Sequence, residues 1–200
     1  MGECPELTKS LLELLLGKRI KKLKNLNSQK SVVQRLDRRG VRFDVYTEDE
    51  ENKIYNIEMQ VSIEKELGKR SRYYHSMLAL QQLGKSVAYE KLHETYVIFI
   101  CKNLEDGKNK PAVSTYRYRS DKDFSDCLND GTIIMIVNAK GDDTELSDEM
   151  KAFLKYIRTG ELSGRDDNLV HQLQAEVEYA KHEHKWEEQF MILQEKLDYG

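Results

Sequence analysis

Two carboxylates, Asp44 and Glu58, have the residue type and spacing best suited to chemistry in this sequence. Asp44 lies in the segment VRFDVY (residues 41–46) and Glu58 in KIYNIEMQ (residues 53–60). Apolar and polar residues alternate in both segments with the period of two that is typical of half-buried strands. Residues 47–52 between them are polar and acidic, which predicts the turn of a β-hairpin.

Pairing the apolar faces of these two strands fixes which residues lie opposite each other. The expected cross-strand pairs are Phe43 with Met59, Val45 with Ile57, Asp44 with Glu58, and Arg42 with Gln60. Directly opposed residues have Cβ atoms about 5 Å apart, so the two carboxylates would repel each other unless a cation lay between them. A hard divalent cation with oxygen ligands is the natural candidate. The alternative is a solvent-exposed polar face that happens to carry two acids.

The elements that must position this pair alternate between helices and strands. Helices are predicted at residues 5–16, 62–83 and 145–158, and strands at 20–29, 96–101, 113–119 and 132–137, with a loop at 31–40. The apolar run at 96–101 predicts a central, buried strand. The pattern therefore predicts an α/β fold whose elements begin with a helix, three strands, a helix and a strand, although the order of strands in the sheet cannot be inferred.

The C-terminal part of the sequence is predicted to differ from the rest. We expect a main domain over residues 1–160 and a charged helical tail over 161–200, separated near Gly160 and Gly164. Apolar residues recur in the tail at spacings of three and four, with a phase change before Trp186, which resembles a short coiled coil. This helix could pack back on the domain or pair with a second chain, and the glycines favour a homodimer.

Composition narrows the setting in which the protein works. The 200 residues are 39% hydrophobic and 34% charged, with a net charge of −3 and three cysteines without a Cys-x-x-Cys motif. A reduced, cytoplasmic protein is the simplest interpretation. No apolar run approaches the ~20 residues of a membrane span, and the first residues do not resemble a signal peptide. We therefore expect no membrane partner.

Positive charge is concentrated just before the carboxylate pair. Residues 18–42 contain ten Lys and Arg against the single acid Asp37, a local charge of +9. A basic segment of this kind attracts phosphates. The alternative is a strand edge decorated with lysines, which discourages aggregation.

These features together resemble a known family. An Asp, a hairpin and then Glu-x-Gln is similar to the Asp…(Asp/Glu)-x-Lys signature of the PD-(D/E)XK nuclease superfamily. The segment VRFDVYTEDEENKIYNIEMQ resembles the core motif of the recombination-promoting nuclease and transposase family. Further segments resemble that family in the same order along most of the chain: PELTKSLLELLLG, RSRYYHSMLALQQL, ETYVIFICKNLEDG and LNDGTIIMIVNAKG.

The resemblance implies a fold, an activity and a set of site residues. It implies a restriction-endonuclease-like αβββαβ core with a mixed sheet flanked by helices, and a metal-dependent DNA endonuclease linked to recombination or transposition. Asp44, Glu58 and Gln60 would be catalytic. Asp44, Glu58 and the backbone carbonyl of Met59 would hold Mg²⁺, with Mn²⁺ or Ca²⁺ as alternatives. Glu13 on the first helix is a further candidate for the catalytic set.

The sequence departs from that pattern in ways that bear on activity. Gln60 stands where the superfamily usually has Lys, and Gln carries no charge and cannot accept a proton at neutral pH. The segment before Pro5 also looks short for the family. A catalytically decayed DNA-binding protein or an oligomerisation protein of the same fold therefore remains an alternative.

DNA is the expected partner. The residues proposed to contact it are Arg42, Arg70, Arg72 and Tyr73. Arginines can bind phosphates, and tyrosines can stack on sugars or bases.

Overall fold

The computed structural model describes residues 4–28, 31–32, 41–42, 44–61, 66–83, 87–104, 110–162 and 168–182. The helices are α1 (Pro5–Leu16), α2 (Leu67–Gln82), α3 (Asp148–Thr159) and α4 (Asn168–His182). The strands are β1 (Leu23–Ser28), β2 (Ser31–Val32), β3 (Val41–Arg42), β4 (Val45–Asp49), β5 (Ile54–Gln60), β6 (Thr95–Cys101), β7 (Val113–Tyr116) and β8 (Thr132–Asn138).

A six-stranded mixed sheet organises the described residues, in the order β1-β4-β5-β6-β8-β7. Strands β5, β6 and β8 are parallel, whereas β1, β4 and β7 run antiparallel to their neighbours. The carboxyl ends of the three parallel strands therefore meet at one edge, where Gln60, Cys101 and Asn138 are in register. This mixed sheet flanked by helices confirms the predicted fold class.

Helices cover the sheet on two faces with separate apolar clusters. Helices α1, α3 and α4 pack on the face that carries Tyr55, Ile57 and Ile98. Helix α2 packs on the opposite face, with Val97 and Phe99. As a result β6 is buried along its whole length, as its continuous apolar sequence predicted.

The first helix forms as its sequence predicts. Pro5 occupies the first turn, where its missing N–H costs no hydrogen bond. Gly17 ends the helix in the left-handed conformation, with φ 63°, and its N–H donates to the carbonyl of Glu13. Leu7, Leu11 and Leu12 are buried against the sheet, so the leucine stripe faces the core.

Several predicted boundaries are wrong. Residues 31–32 form strand β2 rather than a loop, β1 begins at residue 23, and β7 ends at residue 116. Helix α2 begins at residue 67, and residues 62–65 and Gly84 lie outside the described part of the chain. Helix α3 begins at residue 148 rather than 145 because the Ser147 hydroxyl accepts a hydrogen bond from the Met150 N–H and caps it.

The hairpin turn is also shorter than predicted, since β4 continues to Asp49. The Asp49 carboxylate accepts hydrogen bonds from the N–H groups of Glu51 and Lys53, both at 2.9 Å, and from the Tyr55 hydroxyl at 2.7 Å. Asn52 then takes a positive φ of 63°. A buried carboxylate thus shapes a tight turn out of residues 50–53.

The C-terminal helix begins as part of the main core. Val170 and Leu173 of α4 are buried in the same cluster as α1 and α3. The beginning of α4 therefore packs on the domain, whereas residues 163–167 and 183–200, including Trp186, lie outside the described residues. Within the described part of the chain, no helix has the length and apolar character needed to cross a membrane.

Gly141, just after β8, is a position where substitution should be costly. A Cβ there would lie 2.5 Å from Cα and 2.7 Å from N of Ala112. We expect Gly141→Ala to lower the free energy of unfolding by about 2–3 kcal/mol, measured by urea denaturation. Gly68→Ala is the matched control, since among the described residues no atom beyond the neighbouring residues and the backbone of α2 lies within 4 Å of its Cβ position. Equal stability of the two variants would contradict the prediction.

Candidate functional site

The hairpin register places Asp44 beside Glu58, as predicted. Val45 pairs with Ile57 across β4 and β5, and one step further along the same register Asp44 lies opposite Glu58. The Asp44 N–H donates to Glu58 Oε1 at 3.3 Å, and the Met59 N–H donates to Asp44 Oδ2 at 3.0 Å. The predicted partner pair Phe43 and Met59 is not testable because Phe43 lies outside the described residues.

The two carboxylates differ sharply in environment. Asp44 is solvent-exposed, whereas the side chain of Glu58 is only 3% exposed. The alternation of this strand is typical of a half-buried strand, and a solvent-exposed polar face was the alternative to a cation site; in the structure Asn56, Glu58 and Gln60 are all buried. The reason is helix α2, which lies over this face of the sheet.

Burial makes Glu58 unusually hard to ionise. The pKa of Glu58 is raised to about 7, chiefly by loss of hydration and secondly by the negative charge of Asp44. A hydrogen bond from Asn56 Nδ2 to Glu58 Oε1, at 3.1 Å, and the positive charge of Arg70 act in the opposite direction. Near neutral pH the buried carboxyl is therefore divided between its charged and neutral forms, so a bound cation would favour the charged one.

The donor set suits a hard divalent cation. One exposed and one buried carboxylate lie side by side near the carboxyl end of a parallel strand, the edge at which ligands bind in open α/β sheets. Among the residues that the structure describes, no group of three or more His, Cys, Asp or Glu side chains gathers. Mg²⁺ usually takes one or two carboxylates and fills its remaining positions with water and phosphate oxygens, so Asp44 and Glu58 fit it. The carbonyl of Met59 remains a predicted third ligand.

Arg70 lies in the same site, in direct contact with Gln60 and Glu58, and these contacts were not predicted from the sequence. Its Nη1 donates to Gln60 Oε1 at 2.8 Å, and its Nη2 lies 3.6 Å from Glu58 Oε2. The guanidinium carbon lies 5.4 Å from the ring centroid of Phe99 and 5.5 Å from that of Tyr74. Arg70, which was predicted to bind DNA, thus lies beside the carboxylate pair and Gln60.

Two partners of Glu58 were missed from the sequence. Asn56 shares the face of Glu58 by strand alternation, a signal that was present but not used. Tyr74 lies one helical turn after Arg70, accepts a hydrogen bond from Arg70 Nη2 at 3.1 Å, and donates one to Glu58 Oε2 at 3.3 Å. No sequence pattern gives the rotation of α2 over the sheet, so this contact depends on tertiary packing.

The other predicted DNA-binding residues are not gathered at the pair. Arg72 and Tyr73 lie on the exposed side of α2. The expected pairing of Arg42 with Gln60 is wrong, because Arg42 pairs with Ser31 in the separate two-stranded sheet of β2 and β3. The side chain of Arg42 lies outside what the structure describes.

Glu13 is on the other side of the sheet. Helix α1 packs on the face opposite α2, and Glu13 Oε1 accepts a hydrogen bond from the Ile20 N–H at 2.7 Å. This bond holds the chain that leaves α1 and explains the position of the carboxylate. The structure therefore does not bring Glu13 to Asp44 and Glu58.

Comparison with known proteins identifies a family for this chain. Residues 2–196 match a protein-family profile described as PD-(D/E)XK nuclease family transposase. No curated protein and no solved structure matches the chain.

Proposed function

Because this chain belongs to the PD-(D/E)XK nuclease family transposases, we propose that it is a metal-dependent endonuclease that cleaves the phosphodiester bonds of DNA. The observation that best supports this proposal is the contact between Asp44 and the buried Glu58 at the carboxyl end of β5. Family membership supports nuclease chemistry, and the two adjacent carboxylates support a requirement for Mg²⁺ or Mn²⁺.

In the proposed reaction, the oxygen of a water molecule attacks phosphorus and the bond from phosphorus to the 3′ oxygen breaks. The water gives up a proton to solvent, and the 3′ oxygen gains one, leaving a 5′-phosphate and a 3′-hydroxyl. A divalent cation at this site would polarise the phosphate and stabilise the charge that develops on it. Asp44 and Glu58 would hold that cation, while the cover of α2 would exclude water from the Glu58 side.

Strand cleavage feeding recombination or transposition is the role we propose for this activity. The family description names transposases, and such transfer begins with a break in DNA. DNA is accordingly the proposed substrate. The basic residues 18–24 do not line the carboxylate pair, because Lys21, Lys22 and Lys24 contact Glu50 and Asn52 at the hairpin turn, at the other end of the strands.

Nicking of supercoiled plasmid tests the proposal. Purified protein is expected to convert supercoiled DNA to open-circular and linear forms in Mg²⁺ or Mn²⁺, and to lose this activity in EDTA. Ca²⁺ should be tested in parallel, since it takes the same oxygen ligands with looser geometry. A folded protein that binds DNA in a salt-dependent manner but cleaves in none of these metals would instead support the decayed, binding-only alternative.

We also propose that the protein forms a homodimer through the end of its C-terminal helix. Val170 and Leu173 face the core, but further along α4 Val177 is 39% exposed and Tyr179 is 63% exposed. The apolar repeat continues in sequence through residues 183–200, and an apolar stripe at spacings of three and four favours pairing with a second helix.

Deleting residues 183–200 is expected to yield a folded monomer that still nicks plasmid. Light scattering measures the mass, and the untruncated chain is the control. Deletion from residue 166 should instead unfold the protein, because it removes Val170 and Leu173 from the core. A truncated protein that remains dimeric would place the interface elsewhere.

A further inference from the structure

Gln60 and Arg70 form a pair inside the candidate site that the proposed reaction has not yet used. Gln60 is only 8% exposed, and its side-chain carbonyl accepts the short, 2.8 Å hydrogen bond from Arg70 Nη1. This contact joins the last residue of β5 to the first turns of α2. The amide of Gln60 is therefore directed at a guanidinium in this structure.

The residues around Arg70 hold its guanidinium between helix α2 and Glu58. The side chain is 26% exposed, it lies over the rings of Tyr74 and Phe99, and it donates to the Tyr74 hydroxyl. A surface arginine that binds DNA would extend into solvent. Arg70 instead presents a fixed positive charge 3.6 Å from Glu58 Oε2.

The negative charge that gathers in the site gives the guanidinium of Arg70 a role. Two carboxylates and a bound phosphate diester would bring three negative charges together, and further negative charge develops on the phosphate oxygens as the bond breaks. A fixed positive group at that position stabilises the transition state more than the ground state. When metal and DNA bind, the charge of Glu58 would be balanced by the metal ion. Arg70 could then contact the phosphate while it keeps its hydrogen bond to Gln60.

We propose that Arg70 is a catalytic residue that stabilises charge on the scissile phosphate, and that Gln60 is the positioning residue that holds Arg70 there. This inference rests on the proposed nuclease function. In this proposal the positive charge of the site comes from Arg70 on helix α2. In the superfamily signature it comes from a lysine at the position that Gln60 occupies here. Arginine stays protonated in proteins, so Arg70 acts through its charge and its N–H donors and does not remove a proton from water.

The pairing also explains why Gln suits position 60. Lysine there would place an ammonium group against the guanidinium of Arg70, with both charges partly withdrawn from water. Like charges at this distance repel strongly in a protein interior. If Gln60 were only a lost lysine, restoring the lysine would raise activity; if it positions Arg70, the same change would lower it.

Substitutions at positions 60 and 70, alone and together, show whether Gln60 is only a lost lysine or positions Arg70. Arg70→Gln is expected to slow plasmid nicking by about 10²–10³-fold, and Gln60→Lys alone by at least about tenfold, because it displaces Arg70. The double variant, with Lys at 60 and Gln at 70, is expected to recover roughly tenfold over Gln60→Lys, since the charge is restored without repulsion. Lys69→Gln is the matched control, because Lys69 lies on the same helix but pairs with Glu66 at the surface.

Nicking by Gln60→Lys at or above the rate of the unaltered protein would overturn the inference. Equal rates for Arg70→Gln and Lys69→Gln would also overturn it, while leaving the nuclease function standing. Thermal denaturation of each variant in EDTA shows whether a lost rate reflects unfolding. The comparison of Arg70→Gln with Lys69→Gln remains decisive if Gln60→Lys does not fold.

A binding measurement tests the same residue without catalysis. Fluorescence anisotropy with a short labelled duplex is expected to show that Ca²⁺ tightens DNA binding by the unaltered protein about tenfold or more, corresponding to one strong charged contact. Arg70→Gln should lose most of this Ca²⁺-dependent gain and keep its affinity in EDTA, where Arg70 faces Glu58. Retention of the full gain would overturn the inference. Absence of both cleavage and any Ca²⁺-dependent gain in the unaltered protein would overturn the proposed function as well.

Discussion

Replacing Asp44 by alanine is expected to reduce plasmid cleavage on the order of 10³-fold or more, without weakening DNA binding. Asp44 is the exposed member of the carboxylate pair, so its loss removes a proposed cation ligand without opening the core. Removing a negative charge from the DNA-facing side also lowers repulsion of the phosphate backbone. Affinity for DNA in EDTA should therefore be unchanged or slightly tighter.

The stability of this variant should stay close to that of the unaltered protein. Asp44 Oδ2 accepts a hydrogen bond from the Met59 N–H, and a bond of this kind contributes about 0.5–1.5 kcal/mol. Relief of the repulsion with Glu58 offsets part of that loss. Urea denaturation in EDTA checks this point, so that lost cleavage cannot be attributed to unfolding.

Glu90→Ala provides a matched control for charge. Glu90 is an exposed acid in the short turn of Tyr89–Lys91, which precedes the amino end of β6 and so lies at the edge of the sheet away from the carboxylate pair. Its removal should leave the nicking rate within about twofold, since surface substitutions away from special features have small effects. Substantial metal-dependent nicking by Asp44→Ala would show that the proposed cation site is wrong.

The position of the carboxylate pair could be predicted from the sequence because strand register is strongly constrained. A slip of one residue between β4 and β5 would turn Val45 and Ile57 away from the core, so the apolar alternation specifies the pairing. The same local logic predicted α1, whose Pro5 and Gly17 mark its ends, and β6, whose continuous apolar run indicates burial on both faces.

The burial of Glu58 could not be predicted in the same way. Alternation shows which residues share a face but does not show what covers that face. Asn56, Glu58 and Gln60 look like a solvent-facing set, and it is the packing of α2 that buries them. The rotation of that helix also brings Arg70 and Tyr74 to Glu58. Contacts of this kind depend on tertiary packing between distant segments, so local patterns do not reveal them.

The same limit applies to Arg42, which was predicted to lie opposite Gln60, and to Glu13, which was a candidate for the catalytic set. Arg42 pairs with Ser31 because β2 and β3 form a two-stranded sheet separate from the one that holds Gln60. Glu13 faces the chain after α1 because the leucine stripe directs that helix to the other face of the sheet. In both cases the residue type suited the chemistry, and the path of the backbone decided the outcome.

Glu58→Gln is expected to abolish cleavage and yet stabilise the metal-free protein at about pH 8. The pKa of Glu58 is raised from the ordinary value of 4.5 to about 7, so the folded state holds this proton more tightly than the unfolded state. Between those two values the contribution of Glu58 to the free energy of unfolding therefore falls as pH rises, and above about pH 7 the loss is complete. Glutamine stays neutral at every pH and removes this penalty.

The size of the effect follows from the shift. Each unit of pKa difference corresponds to about 1.4 kcal/mol, so the full penalty is on the order of 3 kcal/mol. The attraction of Arg70 is already part of this shift. We expect a net gain of about 1–2 kcal/mol at pH 8, less than the full penalty, because the glutamine amide replaces one of the two oxygens that accept hydrogen bonds from Asn56 and Tyr74. The gain should disappear near pH 4, where Glu58 is protonated in both states.

Urea denaturation in EDTA at these two pH values measures the difference. Glu66→Gln is the control, because Glu66 is largely exposed beside Lys69 and its replacement should change stability by less than about 0.5 kcal/mol. Adding Mn²⁺ should then raise the stability of the unaltered protein but not that of Glu58→Gln, since a ligand stabilises only a state that binds it. Two results would contradict this prediction: a variant that is less stable than the unaltered protein at pH 8, or a stability difference that does not vary with pH. Either would show that burying the ionised form of Glu58 does not destabilise the folded protein. In that case the carboxylate would be a structural partner of Arg70 and Asn56, and the argument for a cation at this site would rest on Asp44 alone.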